Sequence, residues 1–357
     1  MLLELELHGF RCFSDLRIEC GPALNCFTGS NACGKTSLLE AIYFLSRARS
    51  FRCRLPQDLI RRGAAVFRLV ARIESDGRRE TLGMQRDAQS LVVRHAGTTL
   101  VSLAELSRLL PVLLLTPDSH RLLDDGPKSR RRFIDWGVFQ RDALFLGHWR
   151  RFTQALRQRN AALRDPRMSR GIEVWEREIA QAAVSLDAAR SVFCAELDAE
   201  LSLQAQALLG LDGVRLEYRR GWHRDHELEA LLAGSRDGDR RLGHTRLGPQ
   251  RADFQVRIQG RPPGAALSRG QHKLLVAALM LAQAALYRRH HEQCCTLLVD
   301  DLAAELDQEH RARFITALSA AGAQVFLTVI EPAAIAGLLP ADSVQQALPN
   351  AATGDVL

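Results

Sequence analysis

The chain contains no run approaching the roughly 18 uninterrupted apolar residues of a membrane span, which excludes a helical membrane protein. None of its eight cysteines falls in a C-x-x-C pattern, and the only adjacent pair is Cys294-Cys295. Neither a zinc site nor a disulfide framework is therefore indicated. Reduced thiols in a cytoplasmic protein are the expectation. No internal repeat of fixed period is visible, which argues against a solenoid or a propeller. The first residues, Met1-Leu2-Leu3-Glu4-Leu5-Glu6-Leu7, alternate like a strand and lack the basic-then-apolar order of a signal peptide.

What is present is ordinary in bulk and uneven in detail. At 357 residues, with 46% apolar and 25% charged content, the sequence reads as a soluble globular protein of two or three structural units. The formal net charge is +7. Residues 119–170 hold thirteen Lys and Arg against five Asp, a local surplus of eight that exceeds the excess of the whole chain. A basic field so concentrated suggests a polyanionic partner, nucleic acid first.

The chain is organised around Gly29-Ser30-Asn31-Ala32-Cys33-Gly34-Lys35-Thr36, with Ser37 following. This is a full G-x-x-x-x-G-K-[ST] pattern. The apolar Leu24–Thr28 segment before it reads as a buried strand, and Leu38, Leu39, Ile42, Tyr43 and Leu45 after it recur at helical spacing. A loop between strand and helix turns backbone N–H groups inward at the positive end of the helix, which suits phosphate. Lys35 is expected to reach the β- and γ-phosphates and the Thr36 hydroxyl to hold Mg²⁺.

Two further motifs complete the pattern. Thr296–Val299 is an apolar strand ending in Asp300-Asp301, and in P-loop proteins such an aspartate holds Mg²⁺ opposite the loop threonine. Asp300 is assigned to the metal, and Asp301 to the attacking water as general base or orienter. Leu267-Ser268-Arg269-Gly270-Gln271 opens a helix over Lys273–Tyr287 that is apolar nearly all round. Ser268 and Gly270 there make a second phosphate-binding end, unless Ser268 is an ordinary N-cap. Two such ends make sense if Ser268 of one subunit closes on a γ-phosphate held by Gly29–Thr36 of another.

Elsewhere, Val66–Ile73, Thr81–Gln85 and Leu91–Arg94 read as strands of a meander and Val112–Thr116 as a buried central strand. Apolar residues at three- and four-residue steps, from Phe145 to Leu163 and from Trp175 to Leu197, predict an antiparallel helical hairpin. Arg236–Arg241 reads as a polar loop, and Ala333–Leu357 as a fraying tail. The expected division is 1–126 for an N-terminal head portion, 127–208 for an inserted helical arm, and 209–357 for the rest of the head.

In combination these motifs resemble the ABC-type ATPases, and most closely the RecF family. The stretches Gly126–Asp135 and Gly248–Asp253 match that family too. The resemblance implies an α/β ABC-type ATPase head, with a P-loop core sheet, an antiparallel β meander and a helical-hairpin arm. It implies ATP and Mg²⁺ as cofactors and an ATP-dependent homodimer, with Glu305-Leu306-Asp307 crossing the dimer interface. Duplex DNA and single-strand/double-strand junctions are the implied ligands, RecR and RecO the partners, and promotion of RecA assembly the outcome. Arg11 stands where related heads place an arginine near the phosphates. Departures are Ala32 for a common glycine, Arg269 for the first signature glycine, Asp301 for glutamate (which predicts slow hydrolysis) and Thr328 for the switch histidine. The alternatives are a transporter's nucleotide-binding subunit and a structural SMC-type head. About 230 residues between P-loop and signature argue against the first, and the shortness of the hairpin argues against the second.

Overall fold

The computed structural model describes residues 1–75, 77–100, 102–165, 167, 170–301, 303 and 306–349. From the N-terminus, β1 (Leu2–Phe10) and β2 (Phe13–Glu19) form a hairpin, and β3 (Leu24–Thr28) runs through a loop into α1 (Lys35–Arg47). A meander of β4 (Phe67–Ser75), β5 (Arg78–Arg86), β6 (Leu91–His95) and β7 (Thr98–Thr99) follows, then α2 (Leu103–Leu109) and β8 (Val112–Leu115). Next come α3 (Arg121–Asp124), α4 (Pro127–Arg141), α5 (Phe145–Arg164) and α6 (Ile172–Leu209). After β9 (Val214–Arg219), α7 (Leu228–Gly234) and α8 (Arg236–Leu242) lead to β10 (Asp253–Ile258) and α9 (Pro263–Ala266). The chain closes with α10 (Arg269–His290), β11 (Thr296–Asp300), α11 (Gln308–Ala320), β12 (Gln324–Val329) and β13 (Val344–Ala347).

One compact unit comprises Met1–Ser119, Gln204–Gly210 and Ser268–Leu357. It holds two sheets. The first is antiparallel, in the order β2-β1-β4-β5-β6-β7. Its period-2 pattern buries Leu5, Leu7, Leu69, Ala71, Ile73, Leu82, Met84 and Val93. The second is parallel, in the order β13-β3-β12-β11-β8. Phe10, Phe44 and Phe67 meet edge-on, with ring centroids 5.1 and 5.4 Å apart, in a core that also takes in Phe27, Leu298 and Phe326.

Val112–Leu115 is buried, as read from the sequence, but it lies at the sheet edge and is not central. A continuous apolar run reports cover on both faces and carries no information about lateral position. The tail also departs from expectation. Val344–Ala347 pairs in parallel with β3 and Leu348 is buried, so these residues extend the core sheet rather than fray. Asn350–Leu357 lie outside the described residues.

The second unit comprises His120–Leu203 and Leu211–Leu267. Leu211–Leu267 thus groups with the helical arm, whereas the sequence reading gave 209–357 to the head. Helices α5 and α6 form the expected hairpin, and β9 pairs antiparallel with β10. Arg236–Arg241, read as a polar loop, lies in the helix Arg236–Leu242, which buries Asp239. There its carboxylate meets the fully buried Arg159 at 2.9 Å, and Arg159 also contacts Glu176 at 3.1 Å. A buried guanidinium needs such partners, and loss of one strands the rest.

Candidate functional site

The carboxyl ends of three adjacent parallel strands converge, the usual ligand position of an open α/β sheet. Strand β12 lies between β3 and β11, with Thr328 in register with Asp300 on one side and Phe27 on the other. The loop after β3 therefore faces the end of β11 across Thr328.

Gly34 caps α1 at φ 106°, and a Cβ there would lie 2.4 Å from Phe13 Cζ and 2.7 Å from Cys12 Sγ. Only glycine satisfies both backbone and space at that position. Ser30, Asn31 and Ala32 are exposed, and Cys33 is buried as a small filler. Ala32 takes φ 67°, the left-handed region that glycine occupies freely. The Lys35 ammonium is buried and donates to the Gly29 carbonyl at 2.6 Å and the Ser30 carbonyl at 2.9 Å. It thus lies folded back along the loop. A bound polyphosphate would offer it anionic oxygens in place of these two carbonyls.

The Thr36 hydroxyl lies 3.0 Å from each carboxylate oxygen of Asp300. Thr328 Oγ1 donates to Asp300 Oδ1 at 2.8 Å and accepts the Asp301 backbone N–H at 3.0 Å. Asp301 itself sits at φ 47°, a strained backbone that the Thr328 contact helps to hold. Adjacent ligands of an octahedral Mg²⁺ with bonds of ~2.1 Å stand ~3.0 Å apart, so the Thr36 hydroxyl and Asp300 carboxylate fit that ion. Among the described residues no cluster of three His, Cys, Asp or Glu forms a metal cage. A metal here would complete its shell with water and phosphate, as Mg²⁺ commonly does.

Ser268 opens α10 with a complete capping box. Its hydroxyl accepts the Gln271 N–H at 3.3 Å, and Gln271 Oε1 accepts the Ser268 N–H at 3.0 Å. The helix start is open: Ser268 and Arg269 are exposed, and a Cβ on Gly270 would meet nothing within 4 Å. Nothing among the described residues requires glycine there. Among the described residues, Ser268, Gly270 and Gln271 share no hydrogen bond with the Lys35–Thr36–Asp300 neighbourhood.

Arg11 is placed differently from the loop residues. It grips the buried Glu40 of α1 through two hydrogen bonds of 2.7 Å and donates to the Asp58 carbonyl at 2.9 Å. The Glu40 carboxylate pushes the Arg11 guanidinium pKa up. Among the described residues no Arg11 hydrogen bond reaches Gly29–Ser37. Of the expected interface stretch, Glu305 lies outside the described residues, Asp307 caps α11, and Arg311 holds the Ala303 and Leu306 carbonyls at 2.8 and 2.6 Å. Sequence reasoning missed Arg311. The signal available was a basic residue one turn into the helix that follows the motif.

Residues 1–344 match the family described as RecF/RecN/SMC N terminal domain. DNA replication and repair protein RecF of Chromohalobacter salexigens is 42% identical over 338 residues, covering 94% of this chain and 93% of that protein. Its counterpart in Thioalkalivibrio sulfidiphilus is 40% identical over 333 residues, covering 93% and 92%. The chain belongs to the RecF family. A solved structure of the recombination mediator protein RecF with ATP, from the RecFOR pathway, superposes with TM-score 0.82 at 22% identity, covering 92% of each chain. An Smc head bound to the C-terminal winged-helix domain of ScpA gives TM-score 0.61 at 14% identity, covering 98% of this chain and 95% of that one. The RecF resemblance read from the motifs is therefore borne out, and so is the ABC-type head with its P-loop sheet, antiparallel meander and helical arm. Among the described residues no helix is long and apolar enough to cross a membrane.

Proposed function

We propose that this RecF-family chain is an ATP-dependent DNA-binding protein of recombinational repair. Gly29–Ser37 hold ATP, with Lys35 against the β- and γ-phosphates. Thr36 and Asp300 hold Mg²⁺, which when bound neutralises charge on the transferring phosphate. Asp301 orients the attacking water and accepts its proton as the new P–O bond forms and the bond to ADP breaks. Its short side chain keeps turnover slow, with DNA as the stimulus. Ser268, Gly270 and Gln271 of a second copy seal the γ-phosphate, so ATP joins two copies and the dimer grips duplex DNA near single-strand junctions. RecR and RecO are the partners, RecA loading the outcome and the cytoplasm the setting. Arg11 acts on the site indirectly, by steadying α1 through Glu40.

The observation that carries this reading is the Thr36 hydroxyl at 3.0 Å from both Asp300 oxygens, a pairing across 264 positions. The relative described with ATP supports a nucleoside triphosphate in the loop. The open, glycine-bearing start of α10, exposed among the described residues, supports a site completed by another copy. Sedimentation with and without ATP tests it: a doubling of mass that needs ATP supports the reading, and a monomer at saturating ATP and DNA overturns it.

A further inference from the structure

We propose that one face of α5 is a track for the phosphate backbone of duplex DNA, built from Arg150, Arg157 and Arg164. This rests on the DNA-binding reading above and assigns a surface to it. Helix α5 spans twenty residues, Phe145–Arg164, with five arginines and no Asp or Glu. Its buried stripe is Phe145, Phe152, Ala155, Arg159, Ala162 and Leu163. Two of the five arginines are neutralised inside the arm: Arg159 by Glu176 and Asp239, and Arg151 by Glu178 of α6 at 2.5 Å. The other three are exposed on the opposite face. Arg150 and Arg157 have no ion pair among the described residues, and Arg164 makes only a 3.4 Å hydrogen bond to the Gly243 carbonyl.

Steps of seven residues keep the three side chains on one face with ~20° of drift each, spaced ~10.5 Å apart over ~21 Å of helix. A merely solvated face stabilises itself with opposite charges three or four positions away. Here the face carries one sign only, and like charges in file are favourable only with a polyanion against them. Duplex DNA offers one negative charge per ~1.7 Å of its axis, so a track of this length meets enough phosphates to engage all three guanidiniums.

The test is binding of a short blunt duplex, with ATP, as a function of salt, for the unmodified protein and for Arg150→Gln/Arg157→Gln/Arg164→Gln. Loss of three phosphate contacts lowers the log–log salt slope by about 2.7 and weakens binding roughly a hundredfold or more at moderate salt. The corresponding triple lysine variant keeps the slope, and Arg78→Gln/Arg79→Gln, at the start of β5, changes it little. ATP-dependent sedimentation of the triple glutamine variant stays that of the unmodified protein. An unchanged slope overturns the track alone, as does a variant that loses dimerisation instead, since the face would then contact the other copy. Failure of the unmodified protein to bind DNA overturns the DNA-binding reading and the track with it.

Discussion

The Thr328 hydroxyl accepts the backbone N–H of Asp301 at 3.0 Å, and this single contact ties the end of β12 to the strained residue after β11. The same hydroxyl donates to Asp300 at 2.8 Å. Thr328 thereby holds the Asp300 carboxylate and the Asp301 backbone through one hydroxyl.

Thr328→Val keeps the shape and removes both contacts. It removes the Thr328 acceptor from a part-buried N–H, at a cost of about 1–3 kcal/mol. ATP affinity is expected to change only a few-fold while turnover falls tenfold or more, about 1.4 kcal/mol of barrier. Parallel nucleotide-binding and steady-state hydrolysis assays check this. Equal turnover in Thr328→Val would remove Thr328 from the site.

Ala32 sits at φ 67° and is exposed, so a glycine there gives up little packing. Relief of left-handed strain outweighs the added chain entropy of glycine, so Ala32→Gly should stabilise the protein by about 0.5–1 kcal/mol. Urea unfolding without nucleotide measures it, and a lowered midpoint would contradict it.

The C-terminal strand supports the loop strand directly. Val344–Ala347 pairs with Asn25–Thr28, and Leu348 N–H donates to the Thr28 carbonyl at 2.9 Å. Deleting residues 342–357 bares the β3 edge and the buried Leu348 site, with an expected loss of about 2–4 kcal/mol. Urea unfolding of the truncated protein shows this as a lowered midpoint. An unaltered midpoint would mean that β13 contributes nothing to the core sheet.

Burial pushes the thiols of Cys20, Cys26 and Cys295 up to about 12, 11 and 12 from an ordinary 9.0. The folded state holds these protons above the pH at which the unfolded chain releases them. Their contribution is therefore complete below about pH 9 and declines as pH rises, by up to about 1.4 kcal/mol per pH unit for each thiol. Urea unfolding across about pH 8 to 10 should show Cys26→Ala with the flatter dependence. An identical slope would contradict the assignment.

Local signals made most of the site readable. A glycine pattern between strand and helix, an apolar strand ending in aspartates and a serine ahead of a buried helix each announce themselves within a few residues, because local backbone geometry dictates the residue types. The role of Thr328 did not: its meaning depends on β12 lying between β3 and β11, a long-range fact of sheet order. Likewise Val112–Leu115 gave its burial but not its edge position. Arg236–Leu242 looked like a loop because its polar residues answer to a buried Arg159 some eighty positions away. Val344–Ala347 carries little apolar character, so its pairing with β3 left no mark on the pattern.

Mixing two inactive variants shows whether one copy's loop is completed by the other copy's helix start. Lys35→Ala loses the loop, and Ser268→Ala loses the seal. In a mixed dimer, one composite site regains an intact Lys35 from one copy and an intact Ser268 from the other. ATP hydrolysis should therefore return on mixing, though neither variant has it alone. Activity that stays at the level of the separate variants, with mixed dimers present, would contradict the shared site.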